Sequence, residues 1–476
     1  MTELAFVPAV ELTDRLRRGE VGSRELLDLY LDRIDRFGGG LNAVVTLDVE
    51  RARARADEAD AARAQGLSWG PLHGLPLTVK DVFETAGLRT TCGVPALADH
   101  VPAEDAVAVA RLRAAGAVLF GKTNTPAWAM DVVTRNDLFG ETVNPWASDR
   151  SPGGSSGGAA AAVAAGLTSL ELGSDLGGSI RYPAHFCGVF GLKPTWGLVP
   201  SRGHIPPPPG ALGEMDVCSA GPLGRAAEDL ELVLSVIAGA DEPRATAWRV
   251  ELPPPRAEHV AVWLDDPAYP IAADVRRLLE DAAASVGAVE VSAPVSLLEV
   301  TTLNLRLLAP IGAGLASPEV AERWRVEAAA RDYEPDPRDA VAWQHWAGIT
   351  HTDWLAADEE RQRLAARWRE AFADFDAVLL PVAPVPAIPK DQAPLGVDRW
   401  LEIDGVRRGW RELFAWSTLP GTVHLPAVSA PVGLTPDGLP VGVQVVAAYG
   451  HDRTAIEVAR RLGRFVAPPA FVHAAA

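Results

Sequence analysis

SPGGSSGGAAAAVAAGLTSLELGSDLGGSIRYPAHFCGVFGLKPT, residues 151–195, is the stretch on which the reading of this chain turns. It holds two glycine–serine loops, one ending at Ser155 and one at Ser179. Leu170–Gly173 and Val189–Leu192 are apolar enough to be short buried strands. Upstream, Leu75–Lys80 alternates as a strand that ends in polar residues, and Ala117–Phe120 is another short apolar run. Helical periodicity covers 8–18, 22–36, 49–64 and 103–115. Downstream, about 225–375 reads as mostly helical with a candidate strand at Val260–Leu264. Strands follow at Ala377–Pro381, Val428–Val432 and Val441–Val446, with a closing helix near 453–464. Strands interleaved with helices from end to end predict an α/β fold: one large domain whose mixed, mostly parallel sheet is covered by helices on both faces. The proline-rich loops at 204–210 and 252–256 are candidate boundaries, but neither resembles a long flexible linker.

Composition narrows the function. The formal charge is −18, from 44 Lys and Arg against 62 Asp and Glu. That balance repels polyanions and argues against nucleic acid as a partner. No run approaches the ~18 apolar residues of a membrane span, and the first residues lack the pattern of a signal peptide, so a soluble cytoplasmic protein is expected. Cys92, Cys187 and Cys218 form neither a disulfide framework nor a metal-site spacing; they read as small buried side chains, and no metal or cofactor is expected. Of the 44 basic residues only Lys80, Lys122, Lys193 and Lys390 are lysine. A chain so rich in arginine keeps lysine where arginine fails. Arginine cannot be deprotonated in a protein, whereas a desolvated lysine can.

Two motif matches fail on context. Gly116–Thr123 fits the phosphate-binding pattern G-x-x-x-x-G-K-[ST] by letter, but its interior Ala-Val-Leu-Phe favours a buried strand over a loop, and Asn124-Thr125-Pro126 starts a helix poorly. Gly153–Gly157 fits G-x-S-x-G, but no strand precedes it. His185, His204 and His424 lie downstream in no recognisable catalytic setting and read as structural.

Gly177 and Gly178 before Ser179 allow several backbone amides to turn toward one point, as an oxyanion hole requires. The two loops together, from Ser151 through Pro183, resemble the signature of the amidase signature family. Most of the chain joins in: His73–Asp81 resembles the family's lysine strand. Gly121–Asn124, Phe139-Gly140 and Asn144–Trp146 are similar to its next turns. Phe186–Thr195 continues the signature, and Asp437–Gln444 is similar to its C-terminal strand. The resemblance implies a Ser–cis-Ser–Lys triad: Ser179 as nucleophile, Ser155 as bridge across a cis Gly154–Ser155 peptide, and Lys80 as base. It further implies an oxyanion hole from the amides of Leu176, Gly177, Gly178 and Ser179. Ser156, Asp175 and Arg181 are read as residues that hold these loops, and Lys122 and Lys193 as structural. Within the domain, 1–476, the catalytic core is expected at about 65–225 and a more variable helical segment carrying the substrate pocket at about 240–420.

The expected activity is hydrolysis of the C–N bond of small carboxylic amides through an acyl-enzyme on Ser179. Some family members are subunits that release ammonia from glutamine for tRNA-linked synthesis. Thr125–Trp128 and Arg202–Pro209 depart from their pattern, which argues for a stand-alone amidase; a homodimer is compatible with this. Gly421–Pro426 departs as well, placing His424 where it either alters the pocket or packs. Eight of the 14 tryptophans fall from Trp324 onward, and an aromatic pocket would suit apolar or aryl amides, anilides or carbamates, with esters as side substrates. A component of an ammonia-channelling complex and a non-catalytic binding member are the alternatives. The intact Lys80, Ser155 and Ser179 argue against the second.

Overall fold

A computed structural model describes residues 2–339, 341–393 and 399–472; positions 340 and 394–398 of the expected pocket segment lie outside them. Among the described residues, eleven strands hydrogen-bond into one sheet. They are β1 (Val44–Leu47), β2 (Pro76–Lys80), β3 (Val118–Thr123), β4 (Glu171–Asp175), β5 (Phe190–Lys193), β6 (Ser219–Gly224), β7 (Val260–Val262), β8 (Val289–Glu290), β9 (Ala377–Pro381), β10 (Ala427–Leu434) and β11 (Pro440–Ala447). Their order across the sheet is β1-β3-β2-β4-β6-β5-β10-β11-β9-β7-β8. β3, β2 and β4 run parallel, as do β9, β7 and β8. Antiparallel pairs join these two groups through β6, β5, β10 and β11. The expected α/β fold with a mixed sheet is therefore what the chain adopts.

β2, β3, β4, β5, β9 and β11 are buried at every position, which is why they read as near-continuous apolar runs: helices cover both faces. The helix Gly157–Ala164, Gly-Gly-Ala-Ala-Ala-Ala-Val-Ala, is also buried throughout. Side chains this small let a helix approach its neighbours closely on all sides. β2 and β4 are adjacent and parallel, with Thr78 opposite Glu171 and Val79 opposite Leu172. Their carboxyl ends therefore bring Lys80 and Ser174 to one edge of the sheet, where open α/β sheets place their sites.

The strands expected near 75–80, 377–381 and 441–446 and the helices near 49–64 and 453–464 match to within two residues. The apparent phosphate loop is strand β3, and Lys122 Nζ at its end donates to Phe83 O at 2.5 Å and Thr85 Oγ1 at 2.9 Å. β6 is a strand that sequence alone does not predict, because Ser-Ala-Gly-Pro-Leu-Gly opposes strand propensity. Its environment explains it: the strand is buried throughout, and a Cβ on Gly221 would run into the Leu192 carbonyl and stand 2.7 Å from Pro194 Cδ. No described helix is long and apolar enough to cross a membrane.

Candidate active site

Lys80 closes β2 and is fully buried. Its Nζ lies 2.6 Å from Ser155 Oγ and 3.1 Å from Ser174 Oγ. Burial disfavours the ammonium form and, despite the opposing pull of Asp175 and Glu171, pushes the lysine down to about 8. Ser155 sits in an irregular segment before the helix Gly157–Ala164, and the Gly154–Ser155 peptide is cis.

The second loop leaves the end of β4. Asp175 holds it: Oδ1 accepts from Gly178 N at 2.8 Å, and Oδ2 accepts from Ile180 N at 3.1 Å and Arg181 Nε at 2.9 Å. Arg181 Nη2 closes the ion pair on Oδ1 at 2.7 Å, and Nη1 donates to Ser417 O and Gln444 Oε1. Burial alone would raise the Asp175 carboxyl. The Arg181 charge and hydrogen bonds outweigh it and hold the group down to about 2. Ser156 stitches the two loops together, its N–H donating to Ser179 O at 3.1 Å and its Oγ–H to Ser174 O at 3.2 Å.

The paired glycines differ in what they do. Gly178 has φ +114°, and a Cβ there would strike the Tyr182 ring, so only glycine fits. A Cβ on Gly177 would meet nothing nearer than Leu308 Cδ2 at 4.0 Å; that side of the turn faces the pocket. Because the Gly178 amide is spent on Asp175, the expected oxyanion set narrows. Among the described residues, the amides of Leu176, Gly177 and Ser179 have no acceptor in the chain. Ser179 is half-buried, whereas Lys80 and Ser155 are buried beneath it.

Ser155, Ser174, Leu176, Ser179 and His204 share one pocket, walled by Trp128, Met130, Met215, Cys218, Leu308, Ile311, Leu315 and Trp343. Trp343 seats against Gly312, where a Cβ would stand 2.5 Å from its Cζ2. Of the eight C-terminal tryptophans only Trp343 lines this wall. Trp368 and Trp416 are fully buried in the core, and Trp324 and Trp346 pack in a separate cluster. Ser174 and His204 are the two polar groups that sequence reasoning does not place here.

The rival histidine readings do not survive the geometry. His185 is clamped between Gly442 and Val385 backbone groups, and burial pushes it down to about 4. His424 stacks on Trp196 and bonds Asp216 at 3.0 Å, with Arg361 closing the cluster. This is the packing role. Lys193 Nζ donates to Pro194 O at 2.8 Å. All three cysteines are buried free thiols, raised by burial.

The family model described as Amidase matches residues 25–456. The chain belongs to the amidase signature family. Among curated amidase relatives, it is 35% identical over 477 residues to a glutamyl-tRNA(Gln) amidotransferase subunit of Synechococcus sp. (strain CC9902), covering 94% of each chain. Among solved structures, it aligns at TM-score 0.82 and 30% identity with a protein from a vestigial complex bearing on the origins of an s-triazine catabolic enzyme. That alignment covers 97% of this chain and 100% of the other. A bacterial aryl acylamidase of the amidase signature family aligns at TM-score 0.78 and 26% identity over 96% of both chains. This amidase signature chain is thus an enzyme of C–N bond chemistry, as a hydrolase or an amidotransferase component.

Proposed function

We propose that the chain is a stand-alone hydrolase of neutral, apolar carboxylic amides, with aryl amides, anilides and carbamates as the substrates to try first. Ser179 Oγ attacks the carbonyl carbon while its proton passes to Ser155 and the Ser155 proton passes to neutral Lys80. The oxyanion is met by the amides of Leu176, Gly177 and Ser179, each such donor worth about 10²–10³ in rate. When the intermediate collapses, the C–N bond breaks and the amine leaves with a proton returned from Lys80 through Ser155. Water then cleaves the acyl-enzyme by the same relay.

The observation that carries the substrate class is the pocket wall. None of its described lining residues is Asp, Glu, Lys or Arg, and burial pushes His204 down to about 4, so that it is neutral at pH 7. Glutamine would bring an ammonium and a carboxylate with no partner there, at several kcal/mol per buried charge. A panel of an apolar anilide, an aryl amide, a carbamate and glutamine, run on wild type and Ser179→Ala, tests this. Turnover of an apolar member, lost in Ser179→Ala, is expected; turnover of glutamine alone would sink the reading.

The second reading, a glutamine-dependent amidotransferase component, is favoured by the 35%-identical relative. It requires that the chain work only with partner subunits, which purification of the active species would reveal.

The lysine base sets the pH dependence. With Lys80 near 8, about a tenth is neutral at pH 7 and about nine tenths at pH 9. The neutral amine is the working form, so kcat/KM should climb through this window. A profile that peaks below pH 6 would rule the lysine out as base.

A further inference from the structure

His204 is held from both ring nitrogens: Nδ1 lies 2.9 Å from Pro206 O, and Nε2 lies 2.9 Å from Ser174 Oγ. An edge-to-face contact with Phe83, at 5.3 Å and 82°, sets its orientation. A carbonyl oxygen can only accept, so in the neutral ring the proton is on Nδ1. Nε2 then offers only a lone pair, and Ser174 must donate its single hydroxyl proton to it.

That assignment reaches Lys80. With its proton committed to His204, Ser174 Oγ can only accept from Lys80 Nζ at 3.1 Å. A neutral amine has two N–H groups and one lone pair. One N–H goes to Ser174, and the lone pair remains for Ser155 Oγ at 2.6 Å. Were Ser174 free to turn, its hydroxyl could donate into the same lone pair that has to receive the Ser155 proton.

We propose that His204 is a positioning residue, acting through Ser174, which fixes the direction of the Ser174–Lys80 hydrogen bond so that the lysine lone pair faces Ser155. The inference rests on the hydrolase reading above. An ordinary core histidine would sit away from the reacting groups; this one shares the pocket wall with Ser155, Ser174 and Ser179.

The test uses the rate at which a fluorophosphonate labels Ser179. In that reaction the Ser179 Oγ–P bond forms as the P–F bond breaks, fluoride leaves, and the serine proton passes through Ser155 to Lys80. His204→Phe keeps a ring but no acceptor and should label about 10–100-fold more slowly. His204→Gln, whose side-chain carbonyl can stand in for Nε2, should recover most of the rate. In a Ser174→Ala background, His204→Phe should cost nothing further, because there is no hydroxyl left to direct. His204→Met replaces the phenylalanine variant if that one does not fold. Wild-type labelling in the single variant, or an equal loss in both backgrounds, would overturn the positioning role. A wild-type chain that resists the reagent overturns the hydrolase reading and this inference together.

Discussion

Lys80→Met is expected to fold as the wild type does and to acylate about 10⁴–10⁶-fold more slowly, the scale seen when one member of a catalytic unit is removed. Methionine has similar length and suits a fully buried site. Removing a desolvated amine also removes a group whose burial costs free energy, so the melting temperature should hold or rise. The loss should therefore fall on chemistry alone: Ser155 keeps its place, but nothing remains to take its proton. Single-turnover acylation together with thermal melting separates the two effects. A loss smaller than tenfold in a well-folded variant would mean that another group acts as base.

Asp175→Ala should cost both stability and rate. The Asp175–Arg181 pair is fully buried, and removing one partner of such a pair typically destabilises by about 3–5 kcal/mol, because the other charge is left in low dielectric without compensation. The Gly178, Ile180 and Arg181 donors lose their acceptor as well, so the turn carrying Ser179 loosens and turnover should drop by at least about 10². The urea midpoint reports the first effect and acylation the second. Replacing the pair jointly, as Asp175→Leu with Arg181→Met, should return much of the stability, since apolar isosteres often substitute for buried ion pairs without loss. It should not return the rate. A stable and active Asp175→Ala would show that the backbone holds the turn unaided.

How much of this is legible in the sequence depends on whether the deciding force is local. β2, β9 and β11 announce themselves because strands buried on both faces are apolar throughout. β6 does not: Gly221 and Pro222 are poor strand residues, and what holds them is the approach of Leu192 and Pro194 from neighbouring chain, a contact no window of sequence contains. The catalytic candidates follow the same division. Lys80 stands out by scarcity and by its place at the end of a strand, and the Gly177–Gly178–Ser179 turn by its glycines. Ser174, one residue before Asp175 in the same signature stretch, carries no special mark, because its meaning depends on Lys80 from the adjacent strand. His204 reads as structural for the same reason: its partners are a proline carbonyl two residues on and a serine 30 residues away. The Gly178 amide, expected in the oxyanion set, is instead spent on Asp175, a choice that only the folded turn makes.

Three of the four lysines, Lys80, Lys122 and Lys193, are fully enclosed, while arginine supplies the cations of the exterior. Lys390 is thus the one side-chain amine within reach of solvent. Reagents that acylate primary amines, and coupling chemistries that tether proteins through them, have a single side chain to find, remote in sequence from the reacting serines. A support linked at Lys390 would hold every molecule in the same orientation with its base untouched.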